Sequence, residues 1–150
     1  MAKQLIFISI LFGTIYCQQT LSLLPIEGTN ISEAVRLASY NKLETALIES
    51  GRFKVIEKAK RDEILKEQKE QWSGCFEDSC IIEIGKLLGA TYLIMGDIIA
   101  LGKLYQINIK IIDIEKGVVI EKVTKETLGT ELDLLTGVEE ASHLIIYKMD

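Results

Sequence analysis

The cysteines are the first residues whose type and spacing suggest chemistry. The chain has three, at Cys17, Cys75 and Cys80. The last two lie five residues apart around polar residues, and a turn there could bring their Cα atoms within the roughly 4.4–6.8 Å that a disulfide needs. Zinc would need four ligands, the only histidine is His143, and redox-active pairs usually read C-x-x-C. A structural Cys75–Cys80 disulfide is favoured, with free thiols, metal binding or redox chemistry as the alternatives.

No other residue set indicates catalysis. The sequence has no nucleophile elbow, no P-loop, no dinucleotide-binding glycine motif and no H-E-x-x-H. His143 occupies a helical position among apolar neighbours, so we expect a partly buried structural histidine. Asp113 and Glu115 flank a hairpin end, where acids are common. Asp97 lies in an apolar strand and needs polar partners if it is buried. We therefore expect no enzyme activity, no cofactor and no metal.

Composition limits the class of protein. The chain has 150 residues, of which 48% are apolar and 26% charged, which suits one globular domain. Its formal net charge is −5. Nucleic-acid binding requires a basic face, so an acidic chain argues against nucleic acid as the main partner. The same charge argues against adsorption to an anionic membrane surface.

The N-terminus resembles an export signal. Lys3 precedes an apolar run from Leu5 to Tyr16, and polar residues follow from Gln18. This run is shorter than the roughly 20 residues of a membrane-spanning helix and fits the apolar region of a signal peptide. A buried core element is the alternative. We expect residues 1–17 to be a signal segment, residues 18–150 to form a single domain, and the protein to be exported to the periplasm or the outer membrane.

Cys17 lies where a bacterial lipoprotein carries its acylated cysteine. Lipoprotein signals have a small residue immediately before that cysteine, whereas Tyr16 is bulky. Acylation of Cys17 would tether the domain to a membrane without spanning it. Ordinary cleavage near Cys17 would release the domain, and both alternatives stay open.

Hydrophobic periodicity and turn residues define the remaining elements. Strands are predicted over residues 20–26, 52–57, 91–100, 105–114 and 118–125. Helices are predicted over residues 31–50, 60–71, 80–88 and 132–148. We expect a turn over residues 27–30, with Thr29 or Asn30 as the N-cap of the first helix. At Gly96 we expect a bulge or a close backbone approach.

The predicted order is β-α-β-α-α-β-β-β-α. Helices between the first strands imply parallel neighbours, and the last three strands form an antiparallel meander. The sequence therefore predicts an α/β (α+β) domain with a single mixed sheet and helices packed on it. Leu87 of the third helix and Leu144 of the last are expected in the core.

The second predicted helix is strongly charged and has few apolar residues. A solvated helix is one interpretation, and a partner-binding face is the other. That face would consist of Arg61, Glu63, Lys66, Glu67 and Glu70.

Several segments together resemble the CsgG-like family of cell-envelope proteins. Residues 47–57 read L-I-E-S-G-R-F-K-V-I-E, similar to the family signature L-x-x-S-G-R-F-x-V-x-E. Glu67-Gln68, Ser73-Gly74-Cys75, Cys80, residues 84–90 and Gly96 resemble a second pattern, E-Q…S-G-C…C…I-G-x-L-L-G-A…G. The resemblance covers about residues 20 to 125.

This resemblance implies a non-enzymatic envelope protein with a fold similar to an anticodon-binding domain, acting through contacts with other envelope proteins. The family includes the curli secretion channel and is related in fold to LpoB-type activators of peptidoglycan synthases and to the N-terminal domain of TolB. The chain departs from the channel in having short hairpin turns at Gly102 and Gly117 and no spare segment for membrane hairpins. We therefore expect an accessory or assembly protein. The alternative functions are a subunit of an outer-membrane secretion complex for extracellular fibres and an LpoB-type activator of a peptidoglycan synthase. Whether the protein forms a homo-oligomer stays open.

Overall fold

The computed structural model describes residues 18–67 and 78–149. The predicted signal segment, Cys17, Glu70 and Cys75 lie outside the described residues. The described strands are β1 (Thr20–Leu23), β2 (Glu27–Thr29), β3 (Lys54–Val55), β4 (Tyr92–Leu101), β5 (Leu104–Asp113) and β6 (Val118–Leu128). The described helices are α1 (Glu33–Glu49), α2 (Lys58–Glu67), α3 (Asp78–Leu88) and α4 (Glu131–Lys148).

The strands form one mixed sheet in the order β3-β1-β4-β5-β6. β1 pairs in parallel with β3 and β4, and β4, β5 and β6 form an antiparallel meander. This arrangement confirms the predicted α+β class with a single mixed sheet, because helices connect the parallel strands and short turns connect the meander.

The segment predicted as a turn before α1 contains a strand. β2 pairs in parallel with β4, with Glu27 opposite Asp97. β1 pairs only with the first residues of β4, so β2 extends the parallel pairing along the rest of that strand. Asn30 has φ 59° and its amide donates to the Ala100 carbonyl, so it does not cap α1. Ser32 is the cap, and its hydroxyl accepts from the Val35 N–H.

The meander differs from the prediction in the position of its irregularity. Gly96 stays in register opposite Ile109, without a bulge. The irregularity lies between Ile111 and Ile112, where β6 contributes one extra residue. A two-residue turn joins β4 to β5, and Gly102 has φ 64° there, as a glycine in the first position of such a turn can.

Two hydrophobic clusters cover the sheet unequally. The larger cluster lies between the sheet and the helices α1 and α4 and includes Leu47, Ile107 and Leu134. The smaller cluster lies on the opposite face, where Ile81 and Leu88 of α3 pack at one end. The rest of that face, called the uncovered sheet face, carries a polar row of Asp97, Asn108 and Thr124 and also exposed apolar residues, Val119 and Leu128.

Two residues expected in the core are exposed. Leu87 and Leu144 both lie on the outer sides of their helices. The apolar stripe of a helix is wide, so residues at its margin follow the helical period but remain partly exposed. Only residues that point directly at the sheet are buried. None of the helices described here has the length and apolar composition needed to cross a membrane.

Candidate protein-binding site

Helix α2 is the element predicted to contact a partner. It contains 10 residues, and Arg61 is its only buried residue. Ile64 is partly buried and packs against the smaller hydrophobic cluster. Apolar burial therefore contributes little to holding this helix on the domain.

Arg61 makes hydrogen bonds from α2 to the end of β1 and to α1. One interpretation of the sequence places Arg61 in an exposed partner face. Its side chain is only 1% exposed, so Arg61 is not part of such a face. Nη1 donates to the Leu23 carbonyl and to the Tyr40 hydroxyl, the latter at 2.7 Å. Nε and Nη2 donate to the Asp62 carboxylate at 2.9 and 2.5 Å. A buried charge requires partners of this kind, and here they link α2 to the end of β1 and to α1.

Tyr40 completes this anchor. The Arg61 guanidinium lies 5.2 Å from the Tyr40 ring centroid, and the Tyr40 hydroxyl donates to Glu44 at 2.8 Å. Burial, followed by the hydrogen bond to Glu44, raises the pKa of Tyr40 far above its usual range. The phenol therefore keeps its proton at physiological pH and acts as a donor and acceptor within the core.

A cleft of about 300 Å³ lies between α1 and α2 beside this anchor. Its lining includes Arg36 and Leu37 from α1, Lys58 and Asp62 from α2, and Pro25 after β1. Leu37 is exposed and apolar, whereas its neighbours carry charges of both signs. A cleft with this lining could bind a protein surface that carries both apolar and charged side chains.

The other described residues of the predicted partner face lie on the surface of α2, and their contact with a partner stays a prediction. Glu63, Lys66 and Glu67 are exposed on α2, on the side facing away from the domain. The helix thus has a buried side built around Arg61 and an exposed side carrying both charge signs. Among the residues described, α2 combines one buried, hydrogen-bonded arginine with exposed charged side chains.

The signature S-G-R-F connects helices rather than forming a reactive site. The Ser50 hydroxyl donates to the Leu47 carbonyl, and Arg52 donates to the Ile146 carbonyl of α4 at 2.5 Å. Phe53 is buried in the larger cluster. These contacts attach the end of α1 to α4, so the residues of the signature maintain the fold.

The remaining candidate residues do not converge. His143 is exposed on α4, which corrects the expectation of a partly buried histidine. Asp97 accepts from the Asn108 amide at 2.8 Å on the uncovered sheet face, and Asp113 accepts from the Lys116 N–H within the hairpin. Within the described residues, no group of three or more His, Cys, Asp or Glu side chains could hold a metal ion. Cys80 is buried at the start of α3, and its pairing with Cys75 stays a prediction.

The fold of the chain is similar to that of several solved structures. The C-terminal domain of LpoB from Escherichia coli matches with a TM-score of 0.63 at 15% identity, over 75% of this chain and 84% of that one. Lipoprotein GNA1162 from Neisseria meningitidis matches with a TM-score of 0.59 at 11% identity, over 86% and 96%. The PelC dodecamer from Paraburkholderia phytofirmans matches with a TM-score of 0.57 at 12% identity, over 85% and 86%. At these identities the likeness establishes the fold alone.

The sequence comparison is more specific. No curated protein matches the chain. Residues 37–123 match the model of the family described as peptidoglycan-synthase activator LpoB, and since this match spans more than half of the sequence, the chain belongs to that family. Membership confirms the predicted class, an accessory protein of the cell envelope, exported to the periplasm or associated with the outer membrane. The family is named for activating a synthase rather than for catalysing a reaction itself. The narrower resemblance to the curli channel stays a prediction.

Proposed function

We propose that this protein is an LpoB-type activator that binds a peptidoglycan synthase through the exposed side of α2 and the adjoining cleft. The observation that carries the proposal is the attachment of α2 by the buried Arg61. This attachment fixes the helix while Glu63, Lys66 and Glu67 stay exposed. Because α2 is already ordered, binding a partner costs less conformational entropy than it would if the helix had to become ordered on binding.

The composition of this surface supports a protein partner. The cleft and the exposed side of α2 carry acidic and basic side chains next to the exposed Leu37. Interfaces between separately folded proteins commonly combine an apolar centre with a polar rim. Charges of both signs also allow the surface to select one partner by electrostatic complementarity.

Site-specific photo-crosslinking in cells tests this proposal. A photoreactive amino acid replaces Lys66 in one strain and Lys103 in a matched control strain. Lys103 is also an exposed lysine, but it lies in the turn between β4 and β5. We expect the synthase to be crosslinked from position 66 and not from position 103. Equal crosslinking from both positions, or a secretion-channel component in place of the synthase at position 66, would contradict the proposal.

We further propose that a Cys75–Cys80 disulfide ties the segment after α2 to the start of α3. Cys80 is 6% exposed and lies in the first turns of α3, next to the smaller hydrophobic cluster. Closing so short a loop would add only modestly to stability through chain entropy. Mass spectrometry of the alkylated, unreduced protein should show a peptide pair linked through these residues. Full alkylation of both thiols would exclude the bridge.

Cys17 directly follows the apolar run of the predicted signal segment, and we propose that its acylation tethers the domain to a membrane. Labelled fatty acid should be incorporated into the wild-type chain and lost in Cys17→Ser. Equal incorporation in the two proteins would exclude this tether.

A further inference from the structure

Strand β6 forms one edge of the sheet. It contains 11 residues, and within residues 18–67 and 78–149 only β5 pairs with it. A long edge strand presents backbone N–H and C=O groups to which another strand can add. Which β6 residues present these groups follows from the pairing in the rest of the meander.

The turn between β4 and β5 determines the hydrogen-bonding pattern. Leu101 lies opposite Leu104, with two residues between them. The pair that closes such a turn exchanges both backbone hydrogen bonds, and hydrogen-bonded pairs then alternate along the strands. Gln106, Asn108 and Lys110 therefore direct their backbone groups toward β4.

The residues opposite these three on β6 are Glu126, Thr124 and Lys122. Since their β5 neighbours bond to β4, the backbone groups of all three point away from the sheet. The Lys122 carbonyl accepts a 3.4 Å hydrogen bond from the Lys148 ammonium, as expected of a carbonyl that is not bonded to β5. All three side chains are exposed on the uncovered sheet face.

The charges along this edge are self-complementary. We propose that β6 pairs in antiparallel orientation with β6 of a second copy of this chain, about a two-fold axis at Thr124. This register places Lys122 of one protomer opposite Glu126 of its partner, and the symmetry repeats that pair on the other side of the axis. Opposite charges that face each other across antiparallel strands are stabilising, and like charges are destabilising.

The central residue of this register is also suited to pairing with itself. The Thr124 hydroxyl donates to Asn108, whose amide donates to Asp97, so a polar row crosses the meander. Thr–Thr pairs across neighbouring strands are favourable. The row would continue through the axis into the second protomer without an apolar interruption.

Helix α4 gives this pairing an apolar contact. Lys125 bonds Glu140 at 2.6 Å, and Lys148 bonds Glu121 at 3.3 Å. Leu144 lies one turn from both Glu140 and Lys148, so it is on the side of α4 nearest the free edge, and it is 45% exposed.

The two-fold symmetry of the pairing brings the two copies of α4 together. The helix packs on β5 and β6. A two-fold axis between the two β6 strands would place both copies of α4 side by side on the same face of the continuous sheet. Leu144 would then be covered by the second copy. This interface lies at the edge of the sheet away from β3, and the proposal is independent of the role of α2.

Charge reversal with rescue tests the register. Sedimentation velocity is measured on the full chain in mild detergent over a concentration series, with K122E, E126K and the double variant K122E/E126K. Each single reversal places like charges opposite each other twice, so we expect dimerisation to weaken about tenfold or more. The double variant restores opposite charges and should dimerise like the wild type. An equal mixture of K122E and E126K should also form a mixed dimer, because both of its cross-strand pairs are attractive.

The matched control is K54E, which changes an exposed lysine on β3 at the opposite edge and should leave the dimer unchanged. A wild type that stays monomeric at every concentration would overturn the proposal. Single reversals without effect, or a double variant that does not recover, would also overturn it. In the last two cases, a partner strand from another protein would be the alternative occupant of the edge.

A crosslink at the symmetry axis provides an independent measurement. Residues in a hydrogen-bonded antiparallel pair have Cα atoms about 5.5 Å apart, within the range of a disulfide. Under mild oxidation T124C should form a covalent dimer, and T45C, which changes an exposed threonine on α1, should not. Equal crosslinking of the two variants would contradict an axis at Thr124.

Discussion

Helices α4 and α2 are attached to the domain in opposite ways. Helix α4 directs seven buried residues toward the sheet and α1, most of them apolar. Helix α2 buries a single residue, which is an arginine with partners in β1, α1 and α2 itself. The free energy of apolar burial is roughly proportional to the buried area and does not depend on direction. The Arg61 hydrogen bonds need specific distances and angles, so they form in only one position of α2.

The two helices therefore have different roles: α4 stabilises the domain, and α2 exposes charged side chains at its surface. The stability of the domain depends on α4 and the larger cluster, while α2 contributes few apolar contacts and shows most of its surface to solvent. Its position, however, is set by directed bonds. The family to which the chain belongs is named for activating another protein, and a positioned, exposed helix is the feature in the described structure that suits this task.

The largest effect on stability is expected from Leu134→Ala in α4. Leu134 is fully buried, and truncating a leucine in a core typically lowers the free energy of unfolding by about 2–5 kcal/mol. Urea unfolding followed by circular dichroism measures this. The matched control is Leu132→Ala on the same helix, where the side chain is 74% exposed and the change should stay within about 0.5 kcal/mol. Equal losses in the two variants would contradict the account of α4.

A smaller and more local effect is expected from Arg61→Ala. The variant leaves the Leu23 carbonyl and the Tyr40 hydroxyl without this donor, which costs about 1–3 kcal/mol for a buried polar group. Hydrogen exchange should accelerate in α2 while α4 keeps its protection. Arg36→Ala, at a partly exposed arginine beside the same cleft, should not change α2. Unchanged exchange in α2 of the Arg61 variant would show that the arginine is not its anchor.

A pH-dependent effect below about 1 kcal/mol is expected from Asp113→Asn in the hairpin. The Lys116 N–H and then the Lys116 side chain hold the pKa of Asp113 below its usual range. A carboxyl whose pKa is lower in the folded state adds stability above its unfolded pKa of about 4, and loses it as the pH falls through the folded value. The difference between wild type and variant should therefore be present at neutral pH and shrink below about pH 4. Urea midpoints across pH 3–7 measure it, and a constant difference would contradict the assignment.

The sequence was sufficient to predict the parts of the fold that follow local patterns. The alternation in β5 and the stripe of α4 are periodic, and a glycine or an acidic turn marks each hairpin. β2 was missed because Glu27-Gly28-Thr29 has the composition of a turn, and its strand conformation depends on pairing with β4. A strand of three residues is too short to show an alternating pattern of apolar and polar residues, so the sequence of β2 does not reveal its pairing.

The candidate site was only partly predictable for the same reason. Arg61 stands in a charged segment and resembles its solvated neighbours. Its partners Leu23 and Tyr40 are 38 and 21 residues away, so its burial depends on contacts that no local pattern encodes. The exposed charges of α2 were predictable because a helix with few apolar residues must face solvent on most sides.

The exposed side of α2 should matter for activation while having the smallest effect on stability. The most direct measurement is the rate of glycan polymerisation by the cognate synthase, with and without this protein, comparing wild type with Glu63→Lys/Lys66→Glu. The double variant keeps the net charge and should change the free energy of unfolding by no more than about 0.5 kcal/mol. The account predicts that the wild-type chain raises the rate and that the folded variant does not. Full stimulation by the variant would contradict a role for α2 in binding the synthase.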